Sequence, residues 1–307
     1  MSVVVPSRGR PALLERALAS ILAQRYDGDL ECVIVLDGPG SESPDAALSE
    51  DFLAGLNGSR DAVRIIRNSR TPGASGARNS GAVAAAYELV AFCDDDDEWL
   101  PHKLHVQVEA LRAAGGCAAT GGIDVRYRGR TIRRLPGSER VTFDDLLRSR
   151  RTDMHTSTML VRREDFLMTI GPFDEAIPGS YGEDYDWLLR ATRVRPVLTL
   201  RRALATIHWH ESSFFEGRWD MIADALLYLL GKHPEFERDP KGLARIHGQL
   251  AFAYAASGRR RESRLWARRC MARNPRQPRA YLALLVASGV VGAHDVLRAL
   301  HRVGRGL

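Results

Sequence analysis

The sequence predicts an α/β protein with a doubly wound, mostly parallel sheet, followed by an all-helical extension. Three observations carry that prediction. Short β-branched runs alternate with helical patterns through the first half; polar loops follow three of those runs; and everything after Gly217 has helical periodicity. Residues 3–5 read as a strand, and residues 11–24 as a helix with Leu14, Leu18, Ile21 and Leu22 on its apolar face. Residues 32–36 and 63–66 read as the second and third strands, residues 74–87 as an Ala-rich helix, and residues 89–93 as the fourth strand. Such βαβ succession puts the ligand crevice outside the carboxyl ends of the strands. The loops expected at that edge are Pro6-Ser7-Arg8-Gly9, Asp37-Gly38-Pro39-Gly40 and Asp94-Asp95-Asp96-Asp97-Glu98.

Beyond residue 117 the pattern changes. Residues 123–127 and 131–135 flank Arg128-Gly129-Arg130 as a hairpin, residues 156–161 suggest a further strand, residues 184–195 a helix, and residues 197–210 an extended segment. Five helices are then expected over residues 219–230, 243–256, 260–273, 279–288 and 295–303. The organisation expected is a first domain over residues 1–216 and a basic helical extension over residues 217–307.

A chain of 307 residues with 45% hydrophobic and 27% charged residues excludes wholesale disorder, a collagen-like repeat and a disulfide scaffold. Cys32, Cys93, Cys117 and Cys270 form no CxxC pair and read as reduced thiols, as in the cytoplasm. No signal peptide is expected, and the longest uncharged apolar stretch, residues 281–293, is shorter than the roughly 18 residues of a membrane span. The net charge of +6 divides unevenly: residues 1–216 carry −4 and residues 217–307 carry +10.

The acidic run is the strongest single feature. Two unit charges 4 Å apart repel by roughly 1 kcal/mol even in water, so five acids in a row call for a cation. In an extended segment alternate side chains share a face, which would turn Asp94 and Asp96 toward one divalent ion and Asp95 away. Oxygen ligands of this kind suit Mn²⁺ or Mg²⁺. Asp97 and Glu98 are expected to cap a helix entered at Trp99-Leu100-Pro101. A second acidic group, Glu183, Asp184 and Asp186, falls in the first turn of a helix, where the macrodipole favours carboxylates. Helix capping and a general base for a hydroxyl both fit it. His208 and His210, two apart on a strand, would share a face.

In these motifs the sequence resembles the inverting, nucleotide-sugar-dependent glycosyltransferases of family 2, with their Rossmann-like GT-A fold. The resemblance covers most of residues 2–216. It rests on Val3-Val4-Val5-Pro6-Ser7-Arg8-Gly9-Arg10-Pro11, on Gly73-Ala74-Ser75-Gly76-Ala77-Arg78-Asn79, on the DxD-like run through Asp94 and Asp96, and on Gly171-Pro172-Phe173-Asp174-Glu175 followed by Glu183-Asp184. It implies nucleotide-sugar contacts from Pro6, Ser7, Arg8, Asp37, Arg78, Asp94 and Asp95. It further implies metal ligation by Asp96, Asp94 and His210, the last because Ser212 and Ser213 follow it, and catalysis by Asp184 with Glu183 beside it. The implied donor is a nucleoside-diphosphate sugar, and the implied acceptor a carbohydrate or a lipid-linked sugar, as in polysaccharide or glycoconjugate synthesis. The family often has two adjacent acids after the second strand, whereas Leu36 precedes Asp37 here, so the sequence leaves a UDP preference open. A nucleotidyltransferase and a non-catalytic scaffold with a degenerate site are the competing readings. The first lacks a glycine-rich, lysine-containing loop; the second is at odds with intact Asp94, Asp96 and Asp184.

Tyr254, Gly258, Ser263 and Pro275 follow a tetratricopeptide-like spacing, which competes with a generic helical hairpin turning at Gly258. Its arginines, Arg259, Arg260, Arg261, Arg264, Arg268, Arg269 and Arg273, read first as a solvated surface. Contact with anionic lipid at the inner face of the plasma membrane, or with a protein partner, is the functional alternative. Trp266 is the one aromatic residue among them, too little interleaving for a base-stacking surface, which argues against nucleic acid.

Overall fold

Residues 1–38, 47–56, 60–209, 215 and 217–302 are described in a computed structural model of the chain. Two compact units result. The first comprises Met1–Phe143, Arg151–Glu175 and Glu183–His210, and the second Asp144–Arg150, Ala176–Gly182 and Glu211–Leu307.

In chain order the first half runs β1 (Ser2–Ser7), α1 (Pro11–Leu22), β2 (Glu31–Leu36), α2 (Glu50–Gly55), β3 (Val63–Arg67), α3 (Ala74–Ala84), β4 (Leu89–Phe92), β5 (Glu98–Trp99) and α4 (Lys103–Ala114). There follow β6 (Ala118–Tyr127), β7 (Arg130–Arg134), β8 (Arg140–Val141), α5 (Phe143–Arg148), β9 (Leu160–Arg162), α6 (Glu183–Val194) and β10 (Val197–His208). The sheet order is β3-β2-β1-β4-β9-β6-β10-β5, with β7 on β6 and β8 on β10. Strands β3, β2, β1 and β4 are parallel, as the βαβ succession requires; β9 enters antiparallel between β4 and β6.

Local chemistry explains the elements. Pro11 opens α1 with its φ preset, and Leu14, Ala17, Leu18 and Ile21 form its buried stripe at helical spacing. Helix α3 is built of small residues because it lies close on the sheet. A Cβ on Gly81 would fall 2.2 Å from Val4 Cγ1, and one on Gly76 1.9 Å from the Thr71 carbonyl oxygen. The β6–β7 hairpin turns on Arg128 and Gly129, with φ 47° and 74°, so the turn has two residues and Arg130 already pairs with Tyr127.

Two expectations fail locally. Residues 156–161 are not one strand: Thr156–Thr158 make a 3₁₀ turn, and only Leu160–Arg162 pair. Side chains compete for the backbone there, with Thr158 Oγ1 donating to the His155 carbonyl at 2.7 Å and the Ser157 amide donating to His155 Nδ1 at 3.3 Å. Nor do Asp97 and Glu98 cap a helix. Trp99 is buried, its indole N–H donates to the Ser157 carbonyl at 2.7 Å, and Glu98–Trp99 is drawn into the sheet beside β10, so α4 begins only at Lys103.

The second unit contains α7 (Trp219–Lys232), α8 (Pro240–Ala256), α9 (Arg260–Arg273), α10 (Pro278–Ser288) and α11 (Ala293–Arg302). Asp239 caps α8 through the Gly242 amide at 2.8 Å. Ala244, Ala251, Ala267, Cys270, Ala280 and Ala283 form a small-residue core around Phe252, and the α8–α9 hairpin turns at Gly258, φ 78°. All seven arginines from Arg259 to Arg273 are exposed. The four cysteines are free and buried, and no helix among the described residues is long and apolar enough to cross a membrane.

Candidate active site

Three loops meet at the carboxyl edge of β1, β2 and β4, where parallel strand order requires them to converge. Ser7, the last residue of β1, donates through Oγ to Asp95 Oδ2 at 2.7 Å. Arg8 reaches Asp37 Oδ2 at 3.2 Å, and Arg10 bonds both Asp95 and Asp96, the latter at 3.0 Å. Asp37 is only 4% exposed and also accepts from Asn68 Nδ2 at 2.8 Å and from the Gly73 amide at 3.0 Å. It ties the start of α3 to the β2 loop.

The acidic run does not stay extended. The Asp97 amide donates to the Asp94 carbonyl at 3.1 Å, a turn that breaks the alternation expected to pair Asp94 with Asp96. The turn sends the side chains to different partners. Asp95 and Asp96 face Arg10 and the β1 loop, while Asp94 and Asp97 face the segment before β9. Ser157 organises that side: its Oγ accepts from the Asp94 amide at 3.1 Å and donates to Asp97 Oδ2 at 2.5 Å. Ligand atoms of Asp94, Asp97 and His155 all lie within 4.8 Å of one another. His210 lies outside the described residues; His208 is engaged with Glu98, Nε2 to Oε1, at 2.6 Å.

Arg78 is the hub. It projects from α3, is 4% exposed, and donates through Nη1 to Glu183 Oε1 at 2.5 Å and through Nη2 to Asp94 Oδ1 at 2.6 Å. Burial works against its charge, but the two carboxylates outweigh burial and raise its pKa. Burial likewise opposes ionisation of Asp94, yet the Arg78 guanidinium holds its pKa below the usual range. Glu183 goes the other way, pushed up to about 7 by burial and by Asp184 against the pull of Arg78. Burial, with Asp94 and Asp96 beside it, raises Asp97 well above the usual carboxylate range. Burial also lowers His155, leaving its imidazole neutral and able to act as a ligand.

The three carboxylates of the α6 first turn have separate tasks. Asp186 is fully buried and bonds Arg190 Nε at 2.9 Å, and Arg190 in turn clasps the Ile170, Gly171 and Pro172 carbonyls at 2.7–3.0 Å. Asp186 is therefore an anchor. Glu183 is taken by Arg78, and Asp184 stays half-buried, accepting from its neighbour's amide at 2.7 Å. Gly182, φ 86°, makes the turn into the helix. Phe92, Phe166, Phe173 and Trp187, with ring centroids 5.2–6.2 Å apart, lock the start of α6 against the end of β4.

Sequence reasoning missed His155, Asp97 and Ser157 as members of this site. Asp97 was visible in the acidic run. His155 and Ser157 carry no local signal, since only the fold brings residues 155–157 under the β4 loop. It also missed Lys103, wholly buried with Nζ 3.9 Å from the Trp99 ring centre. That ammonium has no hydrogen-bond partner among the described residues, and burial lowers its pKa to about 7.

A family model, Glycosyl transferase family 2, matches residues 2–168. Among curated relatives, the UDP-Glc:alpha-D-GlcNAc-diphosphoundecaprenol beta-1,3-glucosyltransferase of Escherichia coli is 23% identical over 233 residues, 73% of this chain and 85% of that one. Four other curated proteins, 31–36% identical, are matched over only 30–38% of their own length. Among solved structures, TarS 1-349 of S. aureus with UDP-GlcNAc superposes with a TM-score of 0.58 at 16% identity, covering 99% of this chain and 92% of that one. The mannosyltransferase PcManGT of Pyrobaculum calidifontis, with GDP-Man and Mn2+, gives 0.55 at 16% identity, covering 98% and 83%. At these identities the structural likeness establishes the GT-A fold alone.

Proposed function

The chain belongs to glycosyl transferase family 2, and from that premise we propose that it moves a sugar from a nucleoside diphosphate to an acceptor hydroxyl, with metal assistance and inversion at the anomeric carbon. The observation that carries this reading is the convergence, through Arg78, of Asp94 on the β4 loop with the Glu183-Asp184 pair at the start of α6.

Asp184 is the base. The acceptor oxygen attacks the anomeric carbon as the bond to the diphosphate oxygen breaks; the hydroxyl proton passes to the Asp184 carboxylate, and the nucleoside diphosphate departs. One base and no protein nucleophile gives inversion. Glu183 holds Arg78 in place rather than taking the proton. The end of β1, with Pro6 and Ser7, the half-exposed Arg8 that follows it, and the β2 loop, with Asp37, form the side on which a nucleotide would lie. Asp95 braces that side through Ser7 and Arg10.

Carboxylate oxygens with one neutral imidazole suit Mn²⁺ or Mg²⁺, so Asp94, Asp97 and His155 fit a divalent ion. Bound there, the ion would supply positive charge to the departing diphosphate. Asp94 is common to this set and to the one that the sequence motifs imply; Asp96, held by Arg10, and His210 are the members that differ. The donor is a UDP- or GDP-sugar, by analogy with the ligands of the matched structures. The acceptor is a carbohydrate or lipid-linked sugar, by analogy with the E. coli relative. We assign the chemistry to the first unit and assign to the helical extension's exposed Arg260, Arg261, Arg264 and Arg268 a contact with anionic headgroups, at about 1 kcal/mol per charge.

The test is release of nucleoside diphosphate from a panel of UDP- and GDP-sugars in Mn²⁺, with undecaprenyl-diphosphate-linked sugars as acceptors. Acceptor-dependent release from one donor supports the reading. No release from any donor, with the same acceptors productive in a control enzyme, overturns it.

A further inference from the structure

The helices of the second unit bound a cavity of about 490 Å³, inside the roughly 300–1,000 Å³ of small-molecule pockets. None of its lining residues belongs to the first unit. Leu230, Phe236 and Leu243 make an apolar wall. Facing it, His247 on α8 is 8% exposed, and its Nδ1 is buried without a hydrogen-bond partner among the described residues. Burial keeps the ring neutral by lowering its pKa. A bare, buried ring nitrogen beside a cavity calls for a hydrogen-bonding partner from outside the chain.

The rim is cationic. Arg273 bonds Glu237 Oε2 at 2.6 Å. Arg269 stands 4.5 Å from the Trp266 ring centre and has no carboxylate partner among the described residues. Trp266 in turn packs against His247, ring centres 5.1 Å apart, so the arginine, the indole and the imidazole form one continuous surface.

We propose that this cavity binds a small hydroxylated anion, a sugar bearing a phosphate or a carboxylate. A ligand hydroxyl donates to His247 Nδ1, the anionic group meets Arg269, and the carbon face of the ring lies on the Leu230, Phe236 and Leu243 wall. A simple anion lacks the carbon face that the Leu230, Phe236 and Leu243 wall would take, and a neutral sugar brings no charge to Arg269. The site stands whether or not the first unit transfers a sugar.

Calorimetric titration of the full chain tests it, with glucose 1-phosphate, glucuronate, glucose and inorganic phosphate as probes. Each titration is repeated with saturating UDP and Mn²⁺ to occupy a nucleotide site elsewhere. At least one of the two anionic sugars binds, and keeps its affinity in UDP; glucose and phosphate bind at least tenfold more weakly. Arg269→Ala, an exposed position, and His247→Leu each weaken binding by about tenfold, as expected for loss of one charge-assisted hydrogen bond at Arg269 or of one buried hydrogen bond at His247. His247→Gln, which restores an acceptor, binds nearly as the parent does. Absence of binding by both anionic sugars, loss of their binding in UDP, equal affinity for inorganic phosphate, or unchanged affinity in Arg269→Ala overturns the proposal. Should His247→Leu fail to fold, Arg269→Ala and His247→Gln still decide it.

Discussion

Arg78 and Glu183, 105 residues apart in sequence, form a buried ion pair with Nη1 2.5 Å from Oε1. The other arm of the same guanidinium holds Asp94, so one side chain fixes the separation between the β4 loop and the start of α6. Removing one partner of a buried pair costs about 3–5 kcal/mol, because the other charge is left uncompensated. Arg78→Met should lose about that much stability in urea unfolding, since it strands Glu183 and Asp94 together. Arg78→Lys should lose less but still impair turnover, because one ammonium cannot span both carboxylates in the arginine's fork. Full activity in Arg78→Lys would show that the bridge does not position the site.

Asp184→Asn keeps the size of the side chain and removes the base. Donor affinity should stay within a factor of about two, while transfer falls by roughly 10²–10⁴, the range for loss of general acid–base catalysis. Retained transfer would remove Asp184 from that role.

The two possible ligand sets for a divalent ion differ at specific positions. If Asp94, Asp97 and His155 hold it, His155→Ala should weaken Mn²⁺-dependent nucleotide-sugar binding more than Asp96→Ala does, because Asp96 is engaged with Arg10. The reverse order, read by titration with and without Mn²⁺, would return the site to Asp96.

Lys103 makes a prediction about stability and pH. Its folded-state pKa of about 7 lies below the ordinary 10.5, so between those values the unfolded chain binds a proton that the folded chain does not. Stability from this group therefore rises with pH across that window, and the full penalty applies below pH 7. Lys103→Met should raise the melting temperature at pH 6, and the advantage should shrink steadily toward pH 10. A pH-independent difference would mean that the ammonium is not the cause.

How much of this was legible in the sequence follows from which interactions are local. The β1, β2 and β4 runs announced themselves because buried parallel strands are continuous apolar stretches, and strand order alone brought Ser7, Asp37 and Asp94 to one edge. The helix at Glu183 was legible from its acidic first turn and its Trp187-Leu188-Leu189 stripe. The Arg78 bridge was legible only in part: an arginine near a helix start fitted a phosphate contact and a structural ion pair equally well, and only the close seat of α3 on the sheet at Gly81 puts it between Asp94 and Glu183. The acidic run misled for a similar reason. Alternation holds only in an extended chain, and the 94–97 turn replaced it, while the pull of Trp99 into the sheet moved the next helix start to Lys103. The separate tasks of Glu183 and Asp186 likewise depend on distant chain, Glu183 through Arg78 and Asp186 through the carbonyls of residues 170–172 that Arg190 reaches.

The most direct test of the central claim is calorimetric titration of the full chain and of Asp184→Asn with UDP- and GDP-sugars, with Mn²⁺ and with EDTA. The account predicts that one nucleotide sugar binds both proteins alike in Mn²⁺, binds neither in EDTA, and releases nucleoside diphosphate only from the unsubstituted chain. Binding that is indifferent to the metal, or equal release from both proteins, would contradict it.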